Sequence, residues 1–398
     1  MINNKIELLA PAGDLERLKV NLLYGADAVY FGGKKYGLRA NASNFDLPEI
    51  KEACDFAHSL GKKVYLTLNI VFHNEDIDGV EEYIKEVVDC GIDAFIISDP
   101  FIIDYIVKNF PNVEAHLSTQ NSTTNKDTVK FFKEQGVKRV VLAREVSLKE
   151  MKEIIDDTGL DIEVFIHGAM CTFYSGRCCL SNYVTNRDSN RGGCAQVCRF
   201  VYKYQDDDKL FTMATKDLNL SRYIKDLMEI GVKSLKVEGR MRSLYYLATV
   251  IGTYRKIIDH YNEGLNDSKY LEELERTLDR VANRETSTHY LNKKADYTDQ
   301  YYTGRQELSN QDFLGLIDSY DKNSKILKLH ERNYFKVGDR VEIFTPNKDV
   351  YEFNIEEMYN ENMEIIDVAR HPEEEINIKV DLPIEIVPYS MMRIKVGD

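Results

Sequence analysis

The chain has 398 residues, 43% apolar and 30% charged, with a formal net charge of −14. A length beyond roughly 100–200 residues predicts two domains, or one large barrel with an appendage. The acidic balance excludes non-specific nucleic-acid binding over the whole surface but leaves room for a local basic face. Apolar runs such as 94–97, stopped by Ser98-Asp99-Pro100, fall far short of the roughly 20 residues that cross a bilayer, so no membrane partner is expected. The first residues, Met1-Ile-Asn-Asn-Lys5, lack the layout of a signal peptide, and a cytoplasmic location is expected. Thiols stay reduced there, and clustered cysteines point to metal or catalysis rather than to disulfides.

Along the chain, short apolar runs lie at 6–9, 28–31, 64–68, 94–97, 115–117, 139–142, 162–166 and 235–237. Amphipathic stretches at 15–23, 47–60, 77–90, 101–110, 126–135, 148–155, 218–230 and 243–261 alternate with them. This alternation predicts parallel strands joined by crossover helices. Eight such units predict a TIM-like (β/α)8 barrel over 1–265. After strand seven comes an anomalous cysteine-rich insertion, 168–217, ending in a hairpin of 200–204 and 211–214 turned at Asp206-Asp207-Asp208. Insertions of that length are usually functional. A helical and tyrosine-rich linker, 266–305, carries a helix at 271–280 and tyrosines at 297–302. Alternations at 313–317, 326–330, 340–344, 376–380 and 392–396 then predict a small C-terminal β-barrel over 306–398.

In such barrels the chemistry sits at the C-terminal strand ends. The polar residues there include Asn69, Gln120, Arg144, His167, Glu238 and Arg240. His167 is also readable as a structural histidine satisfied by backbone, and Glu238 and Glu145 as structural partners of the arginines. Arg177, Arg187, Arg191, Arg199 and Lys203 form a basic stretch that contains the cysteines; the plain alternative is a solvated loop.

Cys171, Cys178, Cys194 and Cys198 are separated by six, fifteen and three residues. Thiolates bind soft or borderline metals, and four of them complete one ligand set. Zinc ribbons favour tight pairs at both ends, whereas only Cys194 and Cys198 are tightly spaced here, and spacing alone does not choose the metal. Cys179 is a neighbour able to replace Cys178, while Cys54 and Cys90 read as small buried apolar residues of helices.

The phrase Glu163-Val-Phe-Ile-His167-Gly-Ala-Met-Cys171-Thr-Phe-Tyr-Ser175-Gly-Arg-Cys178 resembles the signature of the U-thirty-two, collagenase-like peptidase family. Asn190-Arg-Gly-Gly-Cys194-Ala-Gln-Val-Cys198-Arg is similar to its second block. Leu8-Leu-Ala-Pro-Ala-Gly13, Gly37-Leu-Arg39, Lys236-Val-Glu-Gly-Arg240 and the phrase 335–343 extend the resemblance over nearly the whole chain. It implies a 4Fe–4S cluster on Cys171, Cys178, Cys194 and Cys198, with zinc as the alternative metal. Among the family's subgroups, length and C-terminal β-domain look most like the prephenate-dependent tRNA uridine hydroxylases, which act at C5 of the wobble uridine. On that reading His167, Glu238 and Arg240 are the candidate catalytic residues. Arg39, Asn69, Gln120, Arg144 and Tyr174 are the candidates for substrate binding, the arginines for a dicarboxylate such as prephenate. Arg177, Arg187, Arg191 and Arg199 would meet tRNA phosphates, and Phe173, Tyr174 and Tyr183 would stack a splayed base.

The competing readings are hydroxylation of another RNA or a quinone precursor with a homologous partner chain, a peptidase, and a non-catalytic RNA-binding module with structural zinc. The sequence holds no Gly-x-Ser-x-Gly or His-Glu-x-x-His phrase, which weakens the peptidase reading.

Overall fold

The computed structural model describes residues 6–38, 44–205, 209–282, 284–301 and 312–394. Arg39, the turn at 206–208, the linker boundary at 305/306 and the last two residues of the run 392–396 lie outside the described residues.

Apolar runs covered on both faces pair in parallel, because crossover helices shield one side and the lumen fills the other. The strands are β1 (Glu7–Pro11), β2 (Ala28–Gly32), β3 (Lys63–Leu68), β4 (Ala94–Ile97), β5 (Glu114–Leu117), β6 (Arg139–Val141), β7 (Asp161–Gly168) and β8 (Ser234–Val237). They pair in chain order, and β8 pairs with both β7 and β1, closing an eight-stranded barrel as the alternation predicts. The crossover helices include Leu15–Leu23, Leu47–Ser59, Lys126–Glu134 and Leu148–Thr158, started by side-chain caps from Asp14, Asp46, Asn125 and Ser147. Leu9, Ala28, Tyr30, Tyr65, Ala94 and Ile96 form an apolar cluster of their own, apart from the main core beneath the helices.

Two predicted helices need correction. The stretch 77–90 breaks at Gly79, whose φ of +82° stops one short turn and lets the helix Val80–Asp89 begin anew. The stretch 218–230 begins as a strand, Asp217–Asn219, antiparallel to the end of β7, and turns helical only over Ile224–Glu229. Leu218 and Leu220 are buried two residues apart, a strand period that a helical reading passed over. The insertion's hairpin is shorter than expected, Tyr202–Lys203 against Leu210–Phe211.

The C-terminal strands Phe313–Asp321, Ile326–Glu331, Arg340–Phe344, Val350–Asn354, Glu375–Lys379 and Met391–Ile394 belong to one antiparallel sheet of eight. Its edge strands do not pair with each other among the described residues, so it is a half-barrel rather than a closed one. Val350–Asn354 went unforeseen because it is a half-exposed edge strand. The sheet docks on the barrel through aromatic contacts, Tyr245 stacking on Phe313 at 4.9 Å and Tyr24 meeting Phe344 at 5.9 Å. Among the described residues, no helix is long and apolar enough to cross a membrane.

Candidate active site

The lumen is charged below its mouth. Glu163 on β7 accepts from Lys236 on β8 at 2.8 Å and faces Arg139 on β6 at 3.3 Å. Arg139 also pairs with Glu7, which accepts from Tyr65 at 2.7 Å and Ser234 at 2.8 Å. Burial alone pushes the Glu163 carboxyl up, but Lys236 and Arg139 outweigh it and hold it below the usual carboxylate range. The Lys236 ammonium lies 4.3 Å from the Tyr30 ring centre and 5.4 Å from that of Phe165. Sequence reading missed this network. Its signal was a charge at an inward-facing alternate position of an otherwise apolar strand, as at Glu163 and Lys236.

At the mouth, the loop carrying the first cysteines lies across the ends of β5 and β6. The Arg144 guanidinium stacks 3.8 Å from the Phe165 ring centre and reaches Ser175 Oγ at 3.4 Å. Ser122 donates to the Ser175 carbonyl. Gly176 has φ +74°, and a Cβ there would stand 2.2 Å from the Gln120 carbonyl oxygen, so only glycine permits this approach. Gln120 Oε1 is buried without a hydrogen-bond partner beneath that loop. Asn69 donates to Ser118 at 3.3 Å and accepts from the Leu38 backbone at 3.4 Å. Arg240 donates to the Leu38 carbonyl, and a Cβ on Gly32 would lie 2.6 Å from its Nη1. Glu238 accepts from the Ala169 backbone at 3.3 Å, tying the eighth strand end to the start of the insertion.

His167 stands apart. The register between β7 and β8 shifts at Lys236/Val237, so Phe165 meets Lys236 and Arg144 while the His167 ring turns to the long helix Leu244–Asn262. There Nδ1 lies 3.1 Å from Tyr254 Oη, the residue is 2% exposed, and burial, with Arg242 adding to it, lowers its pKa to about 3. The structure thus gives this expected catalytic residue a neutral, buried packing position.

The insertion is held by hydroxyl-to-carbonyl bonds. Thr172 donates to the Met213 carbonyl at 2.6 Å and Thr212 to that of Cys198 at 3.1 Å. Asn190 donates to the Cys178 carbonyl at 2.9 Å, and Ser181 accepts from the Ala195 backbone at 3.1 Å. These bonds tie the Cys171 and Cys198 segments to each other through 212–213, and the Cys178 segment to the residues on either side of Cys194. The Cys198 thiol is pushed up by burial and, less, by Cys171 and Cys194, against Arg199 and Thr172, so both cysteines lie within electrostatic reach of Cys198. None of the four is in a disulfide, and together they are a soft donor set suited to iron or zinc. The side chains are not drawn to ligand distance: among the described residues, no group of three or more His, Cys, Asp or Glu is arranged to hold a metal ion. Cys54 is buried, and burial raises its thiol pKa to about 12, as a packed helix residue.

The basic residues divide. Arg177 and Arg187 are exposed, Arg199 donates to Gln196 at 2.8 Å, and Arg191 is engaged by Glu75 at 2.8 Å and Asp76 at 3.0 Å. Phe173, Tyr174 and Tyr183 are exposed, Tyr183 at 89%. Among the described residues, the histidines of the barrel strands form no dyad for the peptidase alternative: His116 bonds Glu114, and His167 bonds Tyr254.

Comparison with known proteins agrees with this architecture. Residues 13–301 match the model of peptidase family U32, and residues 309–393 match that of the peptidase family U32 C-terminal domain. The chain is similar to tRNA hydroxylation protein P1 of Bacillus subtilis, 45% identical over 99% of this chain and 96% of the relative. It is also similar to tRNA hydroxylation protein P of Haemophilus influenzae, 35% identical over 92% of this chain and 91% of the relative. A third relative, the 23S rRNA 5-hydroxycytidine C2501 synthase of Escherichia coli, is 36% identical over 67% of this chain and 41% of its own length. With both of its regions matched along nearly their whole extent, the chain belongs to peptidase family U32.

Proposed function

We propose that this chain is a cytoplasmic tRNA hydroxylase that places a hydroxyl at C5 of the wobble uridine, with a 4Fe–4S cluster on Cys171, Cys178, Cys194 and Cys198 and prephenate as dicarboxylate co-substrate. The observation that carries the reading is the clamp between insertion and barrel, with Ser175 and Gly176 seated on Arg144, Ser122 and Gln120. It sets a loop of soft ligands beside a polar, cation-bearing mouth. The printed names of the full-length relatives, tRNA hydroxylation proteins, support the substrate class.

When bound, the cluster supplies one-electron transfer. The chain's own groups do the rest. Arg144 and Arg240 present guanidinium groups to a dicarboxylate. Gln120 Oε1, an acceptor without a donor, suits the N3–H of a uracil ring. Tyr174 and Phe173 offer exposed faces for a splayed base, and Arg177 and Arg187 offer charge to phosphates.

The test is nucleoside mass spectrometry of tRNA from a strain lacking the gene, with metal analysis of anaerobically purified protein. Loss of 5-hydroxyuridine and its derivatives, and about four irons and four sulfides per chain, are expected. Persistence of the nucleoside in a strain without a paralogue removes the substrate assignment, and one zinc in a colourless protein removes the redox reading.

A further inference from the structure

A cavity that shares no lining residue with the mouth lies between the barrel's last helices and the C-terminal half-barrel. It encloses about 600 Å³ and is lined by parts of Leu244–Asn262, Ser268–Val281 and Arg340–Phe344. That volume is in the range of small-molecule sites, which favour domain interfaces.

Its lining carries six cationic side chains against four carboxylates, Glu272, Glu273, Glu342 and Glu352. Most of its cations have partners: Arg393 pairs with Glu342, Lys348 with Asp259 at 2.6 Å, and Arg280 with Asp312 at 3.1 Å. Lys256 has none within ion-pair distance among the described residues, although it lies between the two domains; burial and Arg393 disfavour its ammonium, and Glu342 and Asp349 favour it from farther off. Two threonines in the wall of the same cavity, Thr249 and Thr345, are 3% exposed, and their Oγ1 atoms are buried without any hydrogen-bond partner. A half-buried cation and two orphaned donors at one interface cost free energy that an oxyanion would offset. The rest of the wall includes Tyr24, Leu274 and Phe344, which suit an apolar body.

We infer that this cavity binds a small organic anion, a carboxylate or phosphate on an apolar ring, with Lys256, Thr249 and Thr345 meeting the oxyanion and the ligand bridging barrel and C-terminal domain. The site is separate from the mouth, and the inference does not depend on what reaction occurs there.

Benzoate and phenyl phosphate serve as probes on the full chain, each titrated by calorimetry. Binding in the millimolar range is expected, weakened about tenfold by Lys256→Gln and less by Thr249→Val with Thr345→Val. Tighter binding of phenyl phosphate assigns a phosphorylated ligand, and tighter binding of benzoate a carboxylate. In parallel, acetylation of Lys256 in the unsubstituted protein, read by peptide mass spectrometry, should slow severalfold when either probe is present. This second measurement does not require any variant to fold. Absence of binding by both probes, unchanged affinity in Lys256→Gln, or acetylation unaffected by the probes overturns the proposal.

Discussion

The barrel floor and the cysteine insertion hold their polar groups in opposite ways. On the floor, Glu7, Arg139, Glu163 and Lys236 are nearly inaccessible and neutralise one another from four different strands, so each side chain is fixed by the ladder beneath it. In the insertion, Cys171, Cys179 and Cys194 are exposed, regular structure is sparse, and threonine and serine hydroxyls tie one turn to the next. A framework of the first kind is stable without ligands. One of the second kind buries little apolar surface, and its order rests on local bonds and on whatever its thiols bind.

The largest effect that tests this contrast is on the floor. Lys236→Ala leaves Glu163 without its nearest cation and should cost about 3–5 kcal/mol in denaturant unfolding. Cys194→Ser should leave the same transition within about 1 kcal/mol, since Cys194 is exposed. Equal losses in the two variants would erase the distinction.

The next effect is a pH dependence. The folded pKa of His167 is lowered to about 3 by burial, against about 6.5 when unfolded, so below pH 6.5 the unfolded chain gains a proton that the native one does not. Stability should therefore fall as pH drops through that window, by about 2 kcal/mol between pH 7 and pH 5 from this residue. His167→Gln, which keeps a polar partner for Tyr254, should flatten that part of the profile; an unchanged slope would show that His167 is not the titrating group.

Gly176→Ala should act on the insertion alone. Its positive φ adds about 1 kcal/mol of strain, and the new Cβ meets the Gln120 carbonyl. Faster proteolysis between 168 and 217 with an unchanged barrel transition is expected; uniform destabilisation would mean that the two regions fold as one.

The smallest effects concern the arginines. Arg177→Ala and Arg187→Ala should each weaken tRNA binding and reduce its salt dependence by about one ion. Arg191→Ala should leave both unchanged, because Glu75 and Asp76 already engage that side chain. A loss of affinity in Arg191→Ala equal to that in Arg187→Ala would contradict the division.

The barrel was legible because strand–helix alternation is a periodic signal repeated along the chain, and each unit supports the next. The four cysteines stand out in the sequence as candidate ligands through spacing and flanking residues. The orientation of His167 was not legible because a strand-end position does not reveal a bulge, and the register shift at Lys236/Val237 accompanies a ring turned toward Tyr254. The charged floor was overlooked because Glu163 and Lys236 look like interruptions until their strands are neighbours. Pairing of Arg191 with Glu75 and Asp76 joins residues more than a hundred positions apart, beyond any local pattern.

The most direct test of the central claim is the 5-hydroxyuridine content of tRNA from a gene-deletion strain carrying either the unsubstituted gene or Cys194→Ser. The account requires that the first restore the nucleoside and the second leave it undetectable, although the Cys194→Ser protein accumulates folded. Full restoration by a Cys194→Ser protein shown to lack iron would contradict it.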